Sequence, residues 1–189
     1  MAKMLRLFDV LLAAMGLLIG LPLMVLLTLV GYWETGSPLF RQQRVGYHGQ
    51  PFVLLKFRTM KCDTGWVASH LVDASSITRF GRFLRRTKLD ELPQLWNVLK
   101  GDMSLVGPRP CLLSQYELIK ERTERGVYDA RPGITGLAQL NAIDMSTPRR
   151  LAEVDQQMLA AMAVPAYFRY LFLTLLGKGG GDRVKMKKM

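Results

Sequence analysis

The chain has 189 residues, a length that suits one domain of ordinary size with its own hydrophobic core. Its 26 lysine and arginine residues outnumber 15 aspartate and glutamate residues, so the formal net charge is +11 and an anionic partner is expected: a nucleic acid, an anionic membrane surface or a phosphorylated substrate. The 2 cysteines are too few for a disulfide framework, and the 2 histidines fall in predicted loops, which disfavours a metal site built on them.

The first element is an apolar run from Val10 to Trp33 that contains no charged residue. It is longer than the roughly 20 residues that cross the hydrocarbon core of a bilayer. A secretory signal peptide is the alternative, because Lys3 and Arg6 precede the run. The length of the apolar core and the lack of an A-x-A-like cleavage site argue against that alternative.

Pro22 lies near the centre of this run and predicts a kink or break at residues 20–22. Val10 to Leu21 would then rise only about 18 Å, less than a hydrocarbon core of about 30 Å. Basic residues flank both ends of the run, which blurs the positive-inside signal; they are Lys3, Arg6, Arg41 and Arg44. These features favour a re-entrant helix-hairpin over a kinked spanning helix, the remaining alternative.

The next segment predicts a β-hairpin. Two short strands, about Leu39 to Val45 and Phe52 to Phe57, are separated by a turn that carries Gly46 and Gly49. Residues 61–76 are predicted to form a loop.

The segment "ITRFGRFLRRT", residues 77–87, predicts a basic amphipathic helix. Its apolar residues recur at helical spacing, and arginines occupy the other faces. An ordinary surface helix has the same pattern, but the preceding apolar run favours a helix that lies on anionic lipid.

The stretch "RRTKLDELPQLWNVLKGD", residues 85–102, predicts a helix that begins near Asp90. Leu92, Leu95, Trp96 and Leu99 recur at i, i+3, i+4 and i+7, and Gly101 is a stop signal. Neighbouring side chains on a helix diverge, so Asp90 and Glu91 should have separate roles rather than share a proton. The structural alternative is that the two carboxylates only cap the helix.

The C-terminal part predicts membrane contact and little chemistry. Ala166 to Leu176 is apolar and aromatic with one charge, at Arg169, and is too short to span a bilayer. A core helix and an interfacial helix both fit it. Residues 178–189 are glycine-rich and then basic, which predicts a flexible tail attracted to anionic lipid.

Three motifs follow this apolar run in a fixed order: "KFRTM" (Lys56 to Met60), "LDELPQLWNVLKGDMSLVGPRP" (Leu89 to Pro110) and "RPGITGLAQLN" (Arg131 to Asn141). Together they resemble the bacterial sugar transferase family, the monotopic phosphoglycosyl transferases. The resemblance extends from Met4 to about Leu176.

The resemblance implies a fold and a location. We expect a mostly helical α+β fold: a re-entrant membrane helix broken at Pro22 (residues 1–36), a small cytosolic catalytic domain with a β-hairpin and interfacial amphipathic helices (37–177), and the basic tail (178–189). The protein would lie on the cytosolic face of the bacterial inner membrane, as a monomer or weak dimer.

The resemblance also implies an activity. Enzymes of this family transfer a sugar 1-phosphate from a UDP-sugar to undecaprenyl phosphate and release UMP, the first membrane step of glycoconjugate assembly. Asp90 occupies the position of the nucleophile, which forms an aspartyl-phosphosugar intermediate. The family requires Mg²⁺, because a carboxylate approaching a diphosphate meets like charge that a hard cation neutralises. Glu91 is expected to hold the metal with Asp90 or to assist the polyprenyl phosphate.

Substrate contacts are expected from the basic and polar residues in and near the motifs. Lys56 and Arg58 alternate with Phe57 on a predicted strand, so they share a face. Arg109 lies on backbone stiffened by two prolines. The full expected set is Lys56, Arg58, Arg86, Pro108, Arg109, Pro110, Arg131, Gln139 and Asn141.

One departure from the family pattern leaves the sugar open: Asn141 is followed by "AIDMSTPRR", where many members have "G" and an arginine or asparagine pair. A second departure is Met158, which stands where an aromatic residue often lies three residues after the aspartate; Asp155 is expected to support the site, and a packing contact is expected to differ. Family precedent suggests an N-acetylated amino sugar, with a plain hexose second. A membrane-tethered basic binding module, for nucleic acid or lipid, is the other class of function; it gives no reason for the central motif, and no nucleic-acid motif is visible, so no nucleic-acid partner is expected.

Overall fold

The structure, a computed structural model, describes residues 2–62 and 74–179; most of the predicted loop and of the predicted tail lies outside these ranges. The chain opens with one long helix, α1 (Ala2–Thr35), which contains Pro22. The helix therefore continues through Pro22, where a break was predicted. A proline removes only one backbone hydrogen bond, and the turns on either side are held by contacts with the rest of the protein.

The N-terminal half of α1 is fixed by two charged side chains. Arg6 donates to the carbonyl of Val98 at 2.7 Å. The carboxylate of Asp9, which is buried, accepts hydrogen bonds from the amide of Leu105 and the hydroxyl of Tyr167, both at 2.8 Å. These donors satisfy a charge that would otherwise be costly inside an apolar environment.

The C-terminal half of α1 packs through apolar contacts. Leu27 is buried in a cluster with Phe57 and Leu84. Around Pro22 the side chains face outward, and Trp33 near the end of the helix is 92% exposed. Residues on both sides of Pro22 therefore contact the same globular part of the chain, and α1 exposes an apolar surface between and beside these contacts.

A β-hairpin follows α1. Strands β1 (Leu39–Val45) and β2 (Pro51–Phe57) pair in antiparallel register, with Phe40 opposite Lys56, and a 3₁₀ turn at Tyr47–Gly49 joins them. The predicted bounds are confirmed except that β2 begins one residue earlier. A proline is tolerated there because it is the first residue of an edge strand.

A second, parallel pair of strands was not predicted. Strands β3 (Ser104–Val106) and β4 (Gly133–Thr135) have only 3 residues each, too few for a periodic pattern. The pair depends on glycine, because a Cβ on Gly107 would lie 2.8 Å from the Gly133 amide nitrogen and a Cβ on Gly133 would overlap the Gly107 backbone. This close approach brings the "GPRP" and "RPGITG" motifs against each other.

The remaining elements are helices. They are α2 (Arg79–Thr87), α3 (Gln94–Lys100), α4 (Tyr116–Glu124), α5 (Leu137–Leu140), α6 (Pro148–Ala160) and α7 (Val164–Leu175). A core cluster that includes Val45, Leu118 and Leu151 joins β1, α4 and α6. The prediction of a mostly helical α+β fold is confirmed.

Helices α2 and α7 each expose apolar side chains. In α2, which is amphipathic as its pattern predicted, Leu84 is buried while Phe83, Arg82 and Arg86 are exposed. In α7, Tyr167 is buried and Phe172 and Leu175 are exposed, so this helix has both a core face and an apolar surface.

Candidate active site

Asp90 and Glu91 lie in a 3₁₀ turn (Leu89–Glu91) that connects α2 to α3. The turn is possible because Lys88 adopts a left-handed conformation, with φ of 59°, and ends α2. The prediction of a helix from Asp90 is wrong by one turn: Pro93 occupies the N-cap of α3 and Gln94 is its first residue. A proline has no N–H to donate, so it fits the cap better than the helix interior.

Asp90 does not cap α3, because the N-cap residue is Pro93 and makes no side-chain capping bond. Its side chain faces inward instead, and the residue is only 9% exposed. Burial, and to a lesser extent the adjacent Glu91 carboxylate, raise the pKa of Asp90 to about 6 against the opposing effect of Lys56, Arg85 and Arg109. A buried carboxylate beside three cations is poised for anion chemistry rather than for ending a helix.

Glu91 is held by Arg109. The Arg109 Nη2 donates to the Glu91 Oε1 at 2.7 Å, and the two side chains are 18% and 13% exposed. Arg109 belongs to the Pro-Arg-Pro loop (Pro108–Pro110), which follows β3. Because the pair is partly accessible to solvent, the Arg109 guanidinium can also reach a bound phosphate.

Lys56 reaches the same site from β2. It is buried, and its Nζ lies 5.4 Å from the centre of the Phe40 ring. The Arg58 guanidinium also lies 5.4 Å from that ring, so the two cations share one face of the strand, as alternation requires. Arg58, however, donates from Nε to the carbonyl of Ser37 at 2.8 Å and is directed toward the end of α1.

Comparison with known proteins decides the family. The profile of the family described as bacterial sugar transferase matches residues 1–177. The chain belongs to the bacterial sugar transferase family.

Relatives with named activities are found in several bacteria. EpsL of Bacillus subtilis (strain 168), named as an uncharacterized sugar transferase, is 45% identical over 152 residues, which cover 79% of this chain and 74% of EpsL. The UDP-glucose:undecaprenyl-phosphate glucose-1-phosphate transferase of Caulobacter vibrioides is 44% identical over 82% of this chain and 60% of that protein. The undecaprenyl-phosphate galactose phosphotransferase of Salmonella typhimurium is 39% identical over 75% of this chain, but only 34% of its own length is covered.

Two other residues that are expected to bind substrate also make contacts within the protein, and two are exposed. Arg131 donates from Nε to the carbonyl of Gly101 at 2.8 Å and stacks over Tyr47, with 4.9 Å between the guanidinium carbon and the ring centre. Gln139 donates to the Ile134 carbonyl at 2.7 Å. Arg86 and Asn141 are exposed. Electrostatic interactions link Lys56 and Arg109 to Asp90, and an ion pair links Arg109 to Glu91; the expected roles of Arg131, Gln139, Arg86 and Asn141 stay predictions.

Arg85 is a site residue that the sequence did not single out. It lies in the last turn of α2, donates from Nε to the Thr59 hydroxyl at 2.9 Å, and acts on the pKa of Asp90. The helical period could have indicated Arg85, because it follows Leu84 and lies at the border of the buried face of α2. Arg86 lies on the exposed face.

The donors available to a metal are the carboxylates of Asp90 and Glu91. Across residues 2–62 and 74–179, no 3 histidine, cysteine or acidic side chains lie close enough together to bind a metal with protein ligands alone. Two carboxylates fit Mg²⁺, which is commonly bound by one or two carboxylates together with substrate phosphates and water.

Proposed function

We propose that this chain transfers a sugar 1-phosphate from a UDP-sugar to undecaprenyl phosphate, with release of UMP, in bacterial glycoconjugate synthesis. Family membership and the named activities of the Caulobacter and Salmonella relatives support the reaction class. The observation that carries the proposal is Asp90, a buried carboxylate that caps no helix and faces three cationic side chains.

In the proposed first step, an Asp90 oxygen attacks the phosphorus that bears the sugar. The bond from that phosphorus to the bridging oxygen breaks, and UMP leaves with the bridging oxygen and its electron pair. The product is an acyl phosphate on Asp90, so one transfer between two anions is divided into two easier steps.

In the second step, a phosphate oxygen of undecaprenyl phosphate attacks the same phosphorus and the Asp90 carboxylate is released. Lys56, Arg85 and Arg109 offset the negative charge that accumulates in both steps. Asp90 and Glu91 would hold Mg²⁺, which supplies further neutralisation of the diphosphate when bound. Glu91 would orient Arg109, with which it forms an ion pair, or assist the acceptor phosphate.

The direct experiment measures UMP release from UDP-sugars with undecaprenyl phosphate and Mg²⁺. Without the acceptor, the protein should gain the mass of a phosphosugar, and peptide mapping should locate it on Asp90. No UMP release from any UDP-sugar, or an adduct on another residue, would refute the proposal.

The identity of the sugar needs its own panel of substrates. Family precedent suggested an N-acetylated amino sugar, and a plain hexose second; the Caulobacter and Salmonella relatives are named for the transfer of glucose 1-phosphate and of galactose phosphate, whereas a Bacillus subtilis relative is named for an N-acetylgalactosaminyl 1-phosphate. UDP-glucose, UDP-galactose and their N-acetylated 2-amino counterparts should be compared by kcat/KM under identical conditions.

The proposed topology is re-entrant, with both ends of α1 on the cytosolic face of the inner membrane. Arg6 and Leu27 both contact the globular domain, although about 32 Å of helix would separate them at roughly 1.5 Å per residue. That distance equals the hydrocarbon thickness of about 30 Å, so a spanning helix would carry one of these contacts to the far side.

A cysteine in place of Lys3 tests this topology, in a Cys62→Ser background because Cys62 is exposed and Cys111 is buried. Protection from a membrane-impermeant reagent added to the periplasmic side is expected. Periplasmic labelling would support a spanning helix instead.

A further inference from the structure

The main chain of the Pro-Arg-Pro loop is held by its carbonyl groups, because its two prolines have no N–H to donate. The Pro108 carbonyl accepts from the Gly133 amide at 2.9 Å. The Arg109 carbonyl accepts from Arg122 Nη1 at 2.8 Å. The Pro110 carbonyl accepts from Arg44 Nη1 at 3.2 Å. Two of the three bonds therefore come from arginine side chains that other elements supply.

Arg122 is the more deeply buried of these two arginines. It lies on α4 with its side chain 1% exposed, and it donates from Nε and Nη2 to the Asp155 Oδ2 on α6, at 3.0 and 2.6 Å. Burial lowers the pKa of Arg122, but the Asp155 carboxylate more than reverses this, so the guanidinium stays charged. The fork of Arg122 thus serves two partners, a carboxylate and the Arg109 carbonyl.

A buried ion pair is weak evidence for a role in stability. Apolar residues of similar volume often replace such a pair with no loss of stability, because desolvation offsets the attraction between the charges. An apolar pair, however, has no donor for the Arg109 carbonyl.

We propose that Arg122 is a positioning residue for the transfer reaction, fixed by Asp155, and that it holds the Arg109 main chain so that the Arg109 side chain meets Glu91 beside Asp90. This inference rests on the proposed function for its effect on the rate. Its structural part, the tether on the loop, is independent of that function.

The decisive variant replaces both members of the pair, Arg122→Met with Asp155→Leu, in the full-length chain. Removing both charges avoids an unpaired buried ion, so the fold should be kept and the thermal midpoint should fall little. The kcat for UMP release should fall about 10- to 100-fold through misplacement of Arg109, while KM for the UDP-sugar changes less. A kcat equal to wild type in the folded double variant would show that the pair is only structural.

A matched control exists on the same helix. Arg125 pairs with Glu121 at 2.5 Å, but this pair is partly exposed and its bonds are local to that helix and to Glu153 on α6. Arg125→Met with Glu121→Leu should leave kcat within about 2-fold of wild type, because the bonds of this pair do not involve the Pro-Arg-Pro loop. The loss of unfolding free energy should also be small, because the pair is partly exposed. An equal loss of kcat in both double variants would overturn the assignment to Arg122.

Hydrogen exchange tests the tether without reference to activity. The amides of residues 107, 109, 111 and 112 should exchange at least about 10-fold faster in the Arg122→Met, Asp155→Leu variant, while those of β1 and of residues 52–57 in β2 keep their wild-type rates. Unchanged exchange at residues 107, 109, 111 and 112 would overturn the tether even if kcat falls. If the wild-type protein released no UMP, the proposed function would fail, and the exchange experiment would still decide whether Arg122 holds the loop.

Should the double variant fail to fold, Arg122→Lys provides the same test. Lysine keeps a cation opposite Asp155 but lacks the planar fork that bonds two partners at once. We expect a folded protein whose kcat is lower by about 10-fold. Wild-type kcat in Arg122→Lys would contradict the proposal.

Discussion

Two arginine–carboxylate pairs converge on Arg109, one through its side chain and one through its main chain. Arg109 and Glu91 form the first, and both side chains remain partly open to solvent. Arg122 and Asp155 form the second, and each of these side chains is only 1% exposed. The same chemistry thus occurs twice within a short distance, in two very different environments.

The difference in exposure separates two kinds of role. An accessible pair costs little to open, so its arginine can exchange a carboxylate for a phosphate as substrate arrives. A sealed pair cannot exchange partners, because either ion alone would be buried without compensation. Under the proposals above, the more accessible pair would take part in the chemistry and the buried pair would set the geometry of the loop.

The largest expected effect is at Asp90, the proposed nucleophile, which lies beside the Arg109–Glu91 pair. Asp90→Asn should lower UMP release by at least about 10⁴-fold, because an amide cannot form the acyl phosphate. The phosphosugar adduct should also disappear. The protein should remain folded and membrane-bound, since Asp90 caps no helix. Retained UMP release in Asp90→Asn would indicate that Asp90 has only a structural role.

The two pairs should respond in opposite ways to loss of their carboxylates. Asp155→Ala leaves the buried Arg122 charge unpaired and should cost about 3–5 kcal/mol of unfolding free energy. Glu91→Ala leaves Arg109 in contact with water and should cost about 1 kcal/mol or less, while the transfer rate falls. Thermal unfolding in one detergent, with UMP release measured on the same samples, compares the two. Equal destabilisation by both variants would remove the distinction.

A pH titration gives a third comparison. Because the pKa of Asp90 is about 6 in the folded protein, against 3.8 for an unperturbed aspartate, the folded protein binds this proton more tightly than the unfolded chain does. Stability from Asp90 is therefore present at low pH and is lost as pH rises from about 4 through 6.

The measurement is the difference in unfolding free energy between wild type and Asp90→Asn, without Mg²⁺. At pH 7.5 the variant should be more stable by about 1–3 kcal/mol, and the difference should vanish near pH 4. A difference of the opposite sign would mean that the lysine and arginines around Asp90 outweigh its burial.

The smallest expected effect concerns two adjacent arginines. Arg85→Gln removes a cation that acts on Asp90 and should reduce kcat/KM by about 10-fold, or roughly 1.4 kcal/mol. Arg86→Gln, at the exposed neighbouring position, should change it by less than about 2-fold. A larger loss of kcat/KM for Arg86→Gln would favour the sequence-based expectation that Arg86 binds substrate.

Much of this architecture could be predicted from sequence, for physical reasons that can be named. The hairpin was predictable because alternation and glycines fix β1 and β2 locally, and α2 was predictable from its amphipathic period. The start of α3 was misplaced because its cap is a proline, which also fits a first helical turn. Strands β3 and β4 were missed because glycine contacts between distant segments define them, and no local pattern does.

The proximity of Lys56 and Arg109 to Asp90 agrees with the motifs, while the catalytic and binding roles of these residues stay predictions. The hydrogen bonds of Arg58 and Arg131 to the Ser37 and Gly101 carbonyls depend on tertiary structure, which no sequence pattern marks. The partnership of Arg122 with Asp155 depends equally on tertiary packing of α4 on α6.

The contacts of α1 have a practical consequence for producing this protein. Ala13 and Leu27 belong to the same apolar clusters as Val98 and Phe57, so the membrane helix completes the interior of the domain it anchors. Deleting residues 1–36 to obtain a water-soluble enzyme would open cavities in both clusters and remove the partners of Tyr167 and Leu105. Purification with the helix in place, in detergent or a lipid disc, is therefore the route to active material.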